Sequence, residues 1–354
     1  MPATPSPVVW SVPMRTRFRG LTSRDGVLVR GDAGWGEFSP FWDYDATESA
    51  AWWRAAREAA DQGWPEPVRA TVPVNVTVPA VDAATAHRIV RASGGCRTAK
   101  VKVAEPGQTV DDEVARLEAV RDALGPGGAI RVDANAAWDV DTAVARLAVL
   151  DRAAGGLEYA EQPVPTVDDL AALRRRTHVP IAADESVRRA DDPLAVARAG
   201  AADVLVLKVQ PLGGVRACLR IAEDCGLPVV VSSALESSVG LAAGVALAAA
   251  LPELPYACGL ATAQLLTADV VADPLLPVDG AVPVRRPVPD ARLLAAHAAD
   301  DALTARWHRR LDDVLAVAGA RGPRGTGIPT GDPTGSPTGT PAGDATGPRA
   351  TWTA

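Results

Sequence analysis

From about residue 72 the chain keeps a regular beat that few folds accommodate. Short β-branched runs at 72–78, 98–103, 129–132, 157–160, 180–183, 204–209 and 228–231 alternate with Ala-, Leu- and Arg-rich stretches of helical period, among them 111–124, 141–150, 168–176, 193–199 and 215–224. Each unit takes roughly 23 to 31 residues, the size of a strand plus its crossover helix. Seven units and a further short segment at 256–260 predict an α/β protein, with a barrel of parallel strands fitting better than a doubly wound sheet. No Gly-rich phosphate loop follows the first strand, which counts against a dinucleotide-binding fold.

The flanks do not keep the beat. Residues 1–70 read as a separate α+β module with strands at 8–13 and 26–30 and a helix over 47–62 capped by Thr47. The barrel reading covers 71–264, and 265–320 is a C-terminal return with a helix-like run at 293–318. Residues 321–354 are mostly Gly, Pro and Thr, a composition that cannot offset its own ordering entropy, so a disordered tail is expected.

With 354 residues and 47% apolar side chains the chain can bury a large core. Its net charge of −7 argues against a nucleic-acid partner, which would need a basic face. Cys96, Cys218, Cys225 and Cys258 show no paired spacing, so they read as small core hydrophobes rather than as disulfides or zinc ligands. No export signal is visible, and the apolar run at 239–251 is too short to span a bilayer. The expectation is a soluble cytoplasmic protein with no membrane or obligate protein partner.

One compositional fact sharpens the search for a site. Of the 36 basic residues only Lys100, Lys102 and Lys208 are lysine. A coding bias towards arginine would replace lysines that merely carry charge. It would spare those whose ammonium must lose its proton, which a guanidinium cannot do.

In a parallel-strand barrel the chemistry sits at the C-terminal strand ends. Those ends read Lys100-Val101-Lys102, Asp133-Ala134-Asn135, Glu161-Gln162-Pro163, Asp184-Glu185-Ser186, Lys208 and Ser232-Ser233. Strand periodicity puts Lys100 and Lys102 on one side, and Asp133 and Asn135 likewise. Taken singly, an Asp at a strand end is an ordinary helix cap, a strand lysine an ordinary surface residue, and Ser232-Ser233 the cap of a following helix. Gly213-Gly214 is an ordinary turn on the same footing. Three acids on consecutive strands, flanked by every lysine in the chain, are not explained by capping. Unpaired they would repel, and an all-oxygen set suits Mg²⁺ or Mn²⁺ rather than zinc. A lysine beside such a cation has its pKa pulled towards that of a usable general base.

These residues resemble the enolase superfamily, and within it the o-succinylbenzoate synthase branch of actinobacterial type. The resemblance covers about residues 8 to 315. It is carried by Arg17-Phe18-Arg19-Gly20, Gly34-Trp35-Gly36-Glu37, Thr98-Ala99-Lys100-Val101-Lys102-Val103, Arg131-Val132-Asp133-Ala134-Asn135 and Glu161-Gln162-Pro163. It continues through Ala182-Ala183-Asp184-Glu185-Ser186, Leu207-Lys208 with Pro211-Leu212-Gly213-Gly214, and Ser232-Ser233-Ala234-Leu235-Glu236-Ser237.

The resemblance implies a modified TIM barrel, (β/α)7β, with an α+β capping domain built from the N-terminal module and the C-terminal return. It also implies a Mg²⁺ ion held by Asp133, Glu161 and Asp184. The implied reaction is loss of water from 2-succinyl-6-hydroxy-2,4-cyclohexadiene-1-carboxylate, an anionic small molecule, through an enediolate, for menaquinone biosynthesis. Lys102 would be the base and Lys208 the opposing cation. Lys100, Asn135, Ser232, Ser233 and Arg19 would contact substrate, with residues 14–20 forming a lid. Two lysines on opposite faces also suit proton removal and return, so N-succinylamino acid racemase or dipeptide epimerase activity is the alternative. A non-catalytic barrel acting as a scaffold is the reading from another class.

Overall fold

The structure is a computed structural model that describes residues 7–190 and 192–320. The tail expected to be disordered lies outside the described residues.

Three antiparallel strands open the chain, β1 (Val8–Phe18), β2 (Leu21–Gly31) and β3 (Gly34–Phe38), in the order β1-β2-β3. They run further than the expected 8–13 and 26–30, and β3 was not expected at all. Arg19 (φ 51°) and Gly20 (φ 74°) form the two-residue turn between paired Phe18 and Leu21, both in the left-handed conformation that tight hairpins demand. The expected lid, residues 14–20, is therefore the tip of a β-hairpin rather than an irregular loop. Helix α1 (Ala46–Arg57) follows, capped not by Thr47 but by Asp45, which accepts from the Glu48 amide while Glu48 returns the bond. A wider π-helical turn, Glu58–Gln62, ends the helix where the sequence placed its end.

Strand β4 (Thr71–Pro73) leaves this beat by pairing antiparallel with β12 (Ala281–Pro283), so the expected strand at 72–78 is split. The barrel proper begins at β5 (Val76–Val78) and continues α2 (Ala83–Arg91), β6 (Thr98–Lys102), α3 (Val110–Leu124), β7 (Ala129–Asp133), α4 (Val140–Ala154) and β8 (Tyr159–Glu161). It goes on through α5 (Val167–Arg174), β9 (Ile181–Ala183), the short α6 (Glu185–Arg188) and α7 (Ala195–Arg198), and β10 (Val204–Leu207). Next come α8 (Val209–Leu212), α9 (Val215–Cys225), β11 (Val229–Val231) and α10 (Ser238–Ala250). The seven strands are parallel in sequence order from β5 to β11. Segment 256–260 closes the ring, with Asn75 N donating to Cys258 O (2.9 Å) on one edge and Gly259 N to Val231 O (2.8 Å) on the other. The architecture is the modified TIM barrel with a capping domain.

Register explains both cores. Ala99, Val101, Ile130, Val132, Ala160, Ile181, Ala183, Leu205, Leu207, Val229 and Val231 point outward into one apolar cluster with the helices. The alternate positions Tyr159, Ala182, Val204, Val206 and Val230 pack inside the barrel. Strand pairing puts Lys102 opposite Asp133 and Asp133 opposite Glu161, so the polar series falls on the inward face.

The C-terminal return ends in α11 (Ala291–Ala296) and α12 (Asp301–Ala320), two helices where one run at 293–318 was expected. Trp307 of α12 is wholly buried with Trp10, Phe38 and Trp52 in a separate core, and its indole N–H reaches Asp25 (2.8 Å). Two glycines show how tightly the parts meet. A Cβ on Gly36 would lie 2.0 Å from the Ala56 carbonyl, so only glycine lets β3 and α1 approach. At Gly214 (φ 125°) a Cβ would lie 2.1 Å from the Glu58 carboxylate, which accepts from Val215 N (2.6 Å) and Arg216 N (3.1 Å) at the start of α9. Gly213-Gly214 is thus no ordinary turn: it admits a carboxylate to a helix N-terminus.

All four cysteines are free and buried. No helix among the described residues is long and apolar enough to cross a membrane.

Candidate active site

A cleft over the strand ends is lined by Lys100, Lys102, Asp133, Asn135, Lys208, Ser232, Ser233 and Arg19 together with Phe18, Phe41, Tyr44 and Arg188. Every expected site residue except Glu161 and Asp184 lines it directly, and those two bind the lysines that do. Lys100 Nζ donates to Asp133 (3.1 Å) and Glu161 (2.8 Å), and Lys102 Nζ to Asp133 and to the Asn135 amide oxygen (both 2.6 Å). Lys208 Nζ donates to Asp184 Oδ2 (2.6 Å).

The strand-end acids are not helix caps. Asp139 caps α4 in place of Asp133, and Asp184 makes no capping bond to α6. Nor do Ser232 and Ser233 cap a helix: Ser237 caps α10, while Ser233 Oγ is bonded to Thr262 (2.5 Å). Arg19 sits at the hairpin tip with its guanidinium 4.4 Å from the Phe41 ring.

The electrostatics are those of acids crowded in low dielectric. Burial works against the charge of Asp133, but Lys102 and Lys100 outweigh it and hold the carboxyl well below the ordinary range. Asp184 is likewise held low, with Arg188 and Lys208 overcoming burial. Glu161 goes the other way, pushed up to about 7 by burial and the Asp133 charge. Burial would lower Lys100, yet Glu161 and Asp133 hold it well above its usual value. Burial does pull Lys208 down, against the opposing pull of Asp184.

Among the described residues no three acids converge closely enough to hold a metal as they stand; Lys100 bridges Asp133 and Glu161, and Lys208 holds Asp184. The donor chemistry nevertheless fits a hard divalent cation. Asp133, Glu161 and Asp184 come from the ends of three adjacent strands with oxygen donors alone.

Reasoning from sequence missed Arg188, Glu185 and Tyr44. Arg188 Nε donates to Asp184 Oδ1 (2.9 Å) and Nη2 to Glu185 (2.6 Å), and Nη1 donates to the Tyr44 hydroxyl. The signal was present for two pairs, since Asp184 and Glu185 stand four and three residues before Arg188, the spacings of neighbours on a helix face. Nothing local links Tyr44 to Arg188, 144 residues away. Arg24 was missed for the same reason. Buried in the cap, it donates to Leu235 O (3.1 Å) and Ala234 O (3.4 Å) across the cleft wall.

A capping sheet over an inward-facing lysine–acid–acid–acid–lysine rim defines a known class. Residues 82–290 match the family described as enolase C-terminal domain-like, and residues 9–60 match enolase N-terminal domain-like. The fold is also that of muconate lactonizing enzyme from Pseudomonas fluorescens (TM-score 0.71, 23% identity, 83% of this chain and 98% of that one). N-succinyl Arg/Lys racemase from Bacillus cereus shares it too (TM-score 0.68, 20% identity, 83% and 97%). The chain is 67% identical to o-succinylbenzoate synthase of Thermobifida fusca over 302 residues, 85% of this chain and 93% of that protein. It is 54% identical to that of Mycolicibacterium smegmatis over 303 residues, 86% and 93%. The chain belongs to the o-succinylbenzoate synthase family of the enolase superfamily.

Proposed function

We propose that this chain dehydrates 2-succinyl-6-hydroxy-2,4-cyclohexadiene-1-carboxylate to 2-succinylbenzoate by lysine acid–base catalysis. The observation that carries this reading is that Lys102 and Lys208, from β6 and the end of β10, line one cleft together with Asp133. The proton to be removed lies next to a carboxylate and is weakly acidic, so its loss needs both a base and strong positive charge at the oxygens. Lys102 in its neutral form takes that proton, and the C–H electrons become an enediolate. Lys208 stays protonated and faces the developing charge. The protonated Lys102 then donates to the departing hydroxyl as the C–O bond breaks, releasing water and leaving the aromatic ring.

Asp133, Glu161 and Asp184 would hold the divalent ion, taken here as Mg²⁺ with Mn²⁺ as substitute, which when bound supplies positive charge beside the substrate carboxylate. Lys100 behind them is pinned to two of these acids and serves position and charge balance. Ser232 and Ser233, with Asn135, offer hydrogen bonds to an anionic substrate, and Arg19 closes the cleft from above.

The test is to incubate the protein with the cyclohexadiene carboxylate, and separately with an N-succinyl amino acid, each with and without Mg²⁺. Rapid metal-dependent aromatisation is expected, and racemisation without dehydration would overturn the reading.

A further inference from the structure

We propose that Arg188 is the positioning residue that sets the two catalytic lysines against each other, and that Tyr44 of the cap holds it in place. The proposal rests on the reading of Lys102 and Lys208 as the acid–base pair.

Arg188 lies at the branch point of two hydrogen-bonded arms. In the first, its Nε donates to Asp184 Oδ1 (2.9 Å), and Lys208 Nζ donates to the other oxygen of the same carboxylate (2.6 Å). In the second, its Nη2 donates to Glu185 Oε1 (2.6 Å), which also accepts from Asn135 Nδ2 (3.2 Å). The Asn135 amide then accepts from Lys102 Nζ with its oxygen (2.6 Å). The remaining Nη1 donates to Tyr44 Oη in the loop between β3 and α1.

The second arm has a directional consequence. An asparagine amide can turn over and exchange its N–H₂ for its oxygen. Glu185 accepts only from the N–H₂ end, so the carboxylate fixes the oxygen towards Lys102. Without it the amide could present donors to an ammonium, and the lysine would lose its partner. Arg188 in turn fixes Glu185.

The residue type follows from this geometry. Three acceptors met by Nε, Nη1 and Nη2 suit a planar fork whose N–H groups sit on separate nitrogens, whereas the three N–H bonds of an ammonium leave from one atom. The Arg188 side chain is 2% exposed, so its charge is stable there only while both carboxylates face it. Among the described residues Tyr44 is the one hydrogen-bond partner of Arg188 that comes from outside the barrel, so the cap completes the fork.

The chain's scarcity of lysine makes the test direct. Protein grown on ¹³C-lysine and loaded with Mg²⁺ gives three lysine signals, assigned by the three single Lys→Arg variants. In Arg188→Gln the Lys102 and Lys208 signals both move while Lys100 moves least. Its Mg²⁺ affinity by calorimetry falls about 10- to 100-fold, the range for outer partners of metal ligands. Tyr44→Phe, which removes one hydroxyl and keeps the ring, moves the same two signals in the same direction by less, and lowers kcat more than it raises KM. It also covers the case in which Arg188→Gln does not fold. If both signals and the Mg²⁺ affinity stay unchanged in a folded variant, or only Tm shifts, the proposal is overturned. Neither the lysine signals nor the Mg²⁺ affinity needs substrate, so failure of wild-type protein to dehydrate the cyclohexadiene would sink the functional reading alone.

Discussion

Lys102 and Lys100 differ by two positions on one strand, yet their surroundings separate them. Lys100 is clamped between two buried carboxylates and held protonated, whereas Lys102 reaches the cleft beside Asn135 and the Phe18 ring, 5.4 Å away. Lys102→Arg keeps the charge and removes the ability to deprotonate. Turnover should fall about 10²- to 10⁴-fold, which is what a general base is worth. Circular dichroism and Mg²⁺ binding should remain as in the wild type. Substantial residual turnover in a stopped assay would remove the base assignment. At this scale the sequence was most legible where chemistry restricts residue choice: lysine, unlike arginine, can serve as both cation and base, and carboxylates offer that oxygen set. Arg188 was hidden because the chain is rich in arginine, so one more carries no compositional signal. Its partner Tyr44 belongs to the cap, 144 residues away in sequence.

At the scale of elements, the βα beat was readable because outward positions of each barrel strand are uniformly apolar while the crossover helices keep their own period. The cap was less so. β3 is five residues long with two glycines, and its reason for being a strand is the neighbour β2 and the close packing of α1 on Gly36. Neither neighbour is visible from local propensity. The seam at Gly214 makes a testable contrast with another glycine of positive φ. Gly226 (φ 64°) has open space where a Cβ would go, so Gly226→Ala should cost about 1 kcal/mol from backbone strain alone. Gly214→Ala meets the Glu58 carboxylate as well, displacing it from the α9 amides, and should cost about 3 kcal/mol or more. Urea unfolding of the two variants measures the difference, and equal losses would show that the carboxylate does not hold the seam.

The molecule as a whole is joined by buried acids between cap and barrel, and these make its stability depend on pH. Glu37 of β3 accepts from Ser39 Oγ (2.7 Å), Gly240 N (3.1 Å) and Ser237 N (3.3 Å), and from the Ser237 hydroxyl. It thereby ties the capping sheet to the start of α10. Burial, aided by the neighbouring Glu236 charge, pushes its carboxyl up to about 7, against the pull of these donors and of Arg24. Ser237 and Ser39 can reverse their hydroxyls and accept the proton that Glu37 then carries. In the unfolded chain the same group titrates near 4.5. Between those values the folded state holds a proton that the unfolded state releases. This contribution is fully present below about 4.5 and is lost as pH rises through about 7, amounting to about 3 kcal/mol. Its direction is opposite to that of Asp133 and Asp184, whose lowered values remove stability at acid pH. Glu37→Gln isolates the effect because glutamine does not titrate. Denaturant unfolding of wild type and variant at intervals from pH 5 to pH 8 should show the gap between them shifting in favour of the variant as pH rises. A gap that stays constant across that window would mean Glu37 is ionised throughout, with the four donors prevailing over burial.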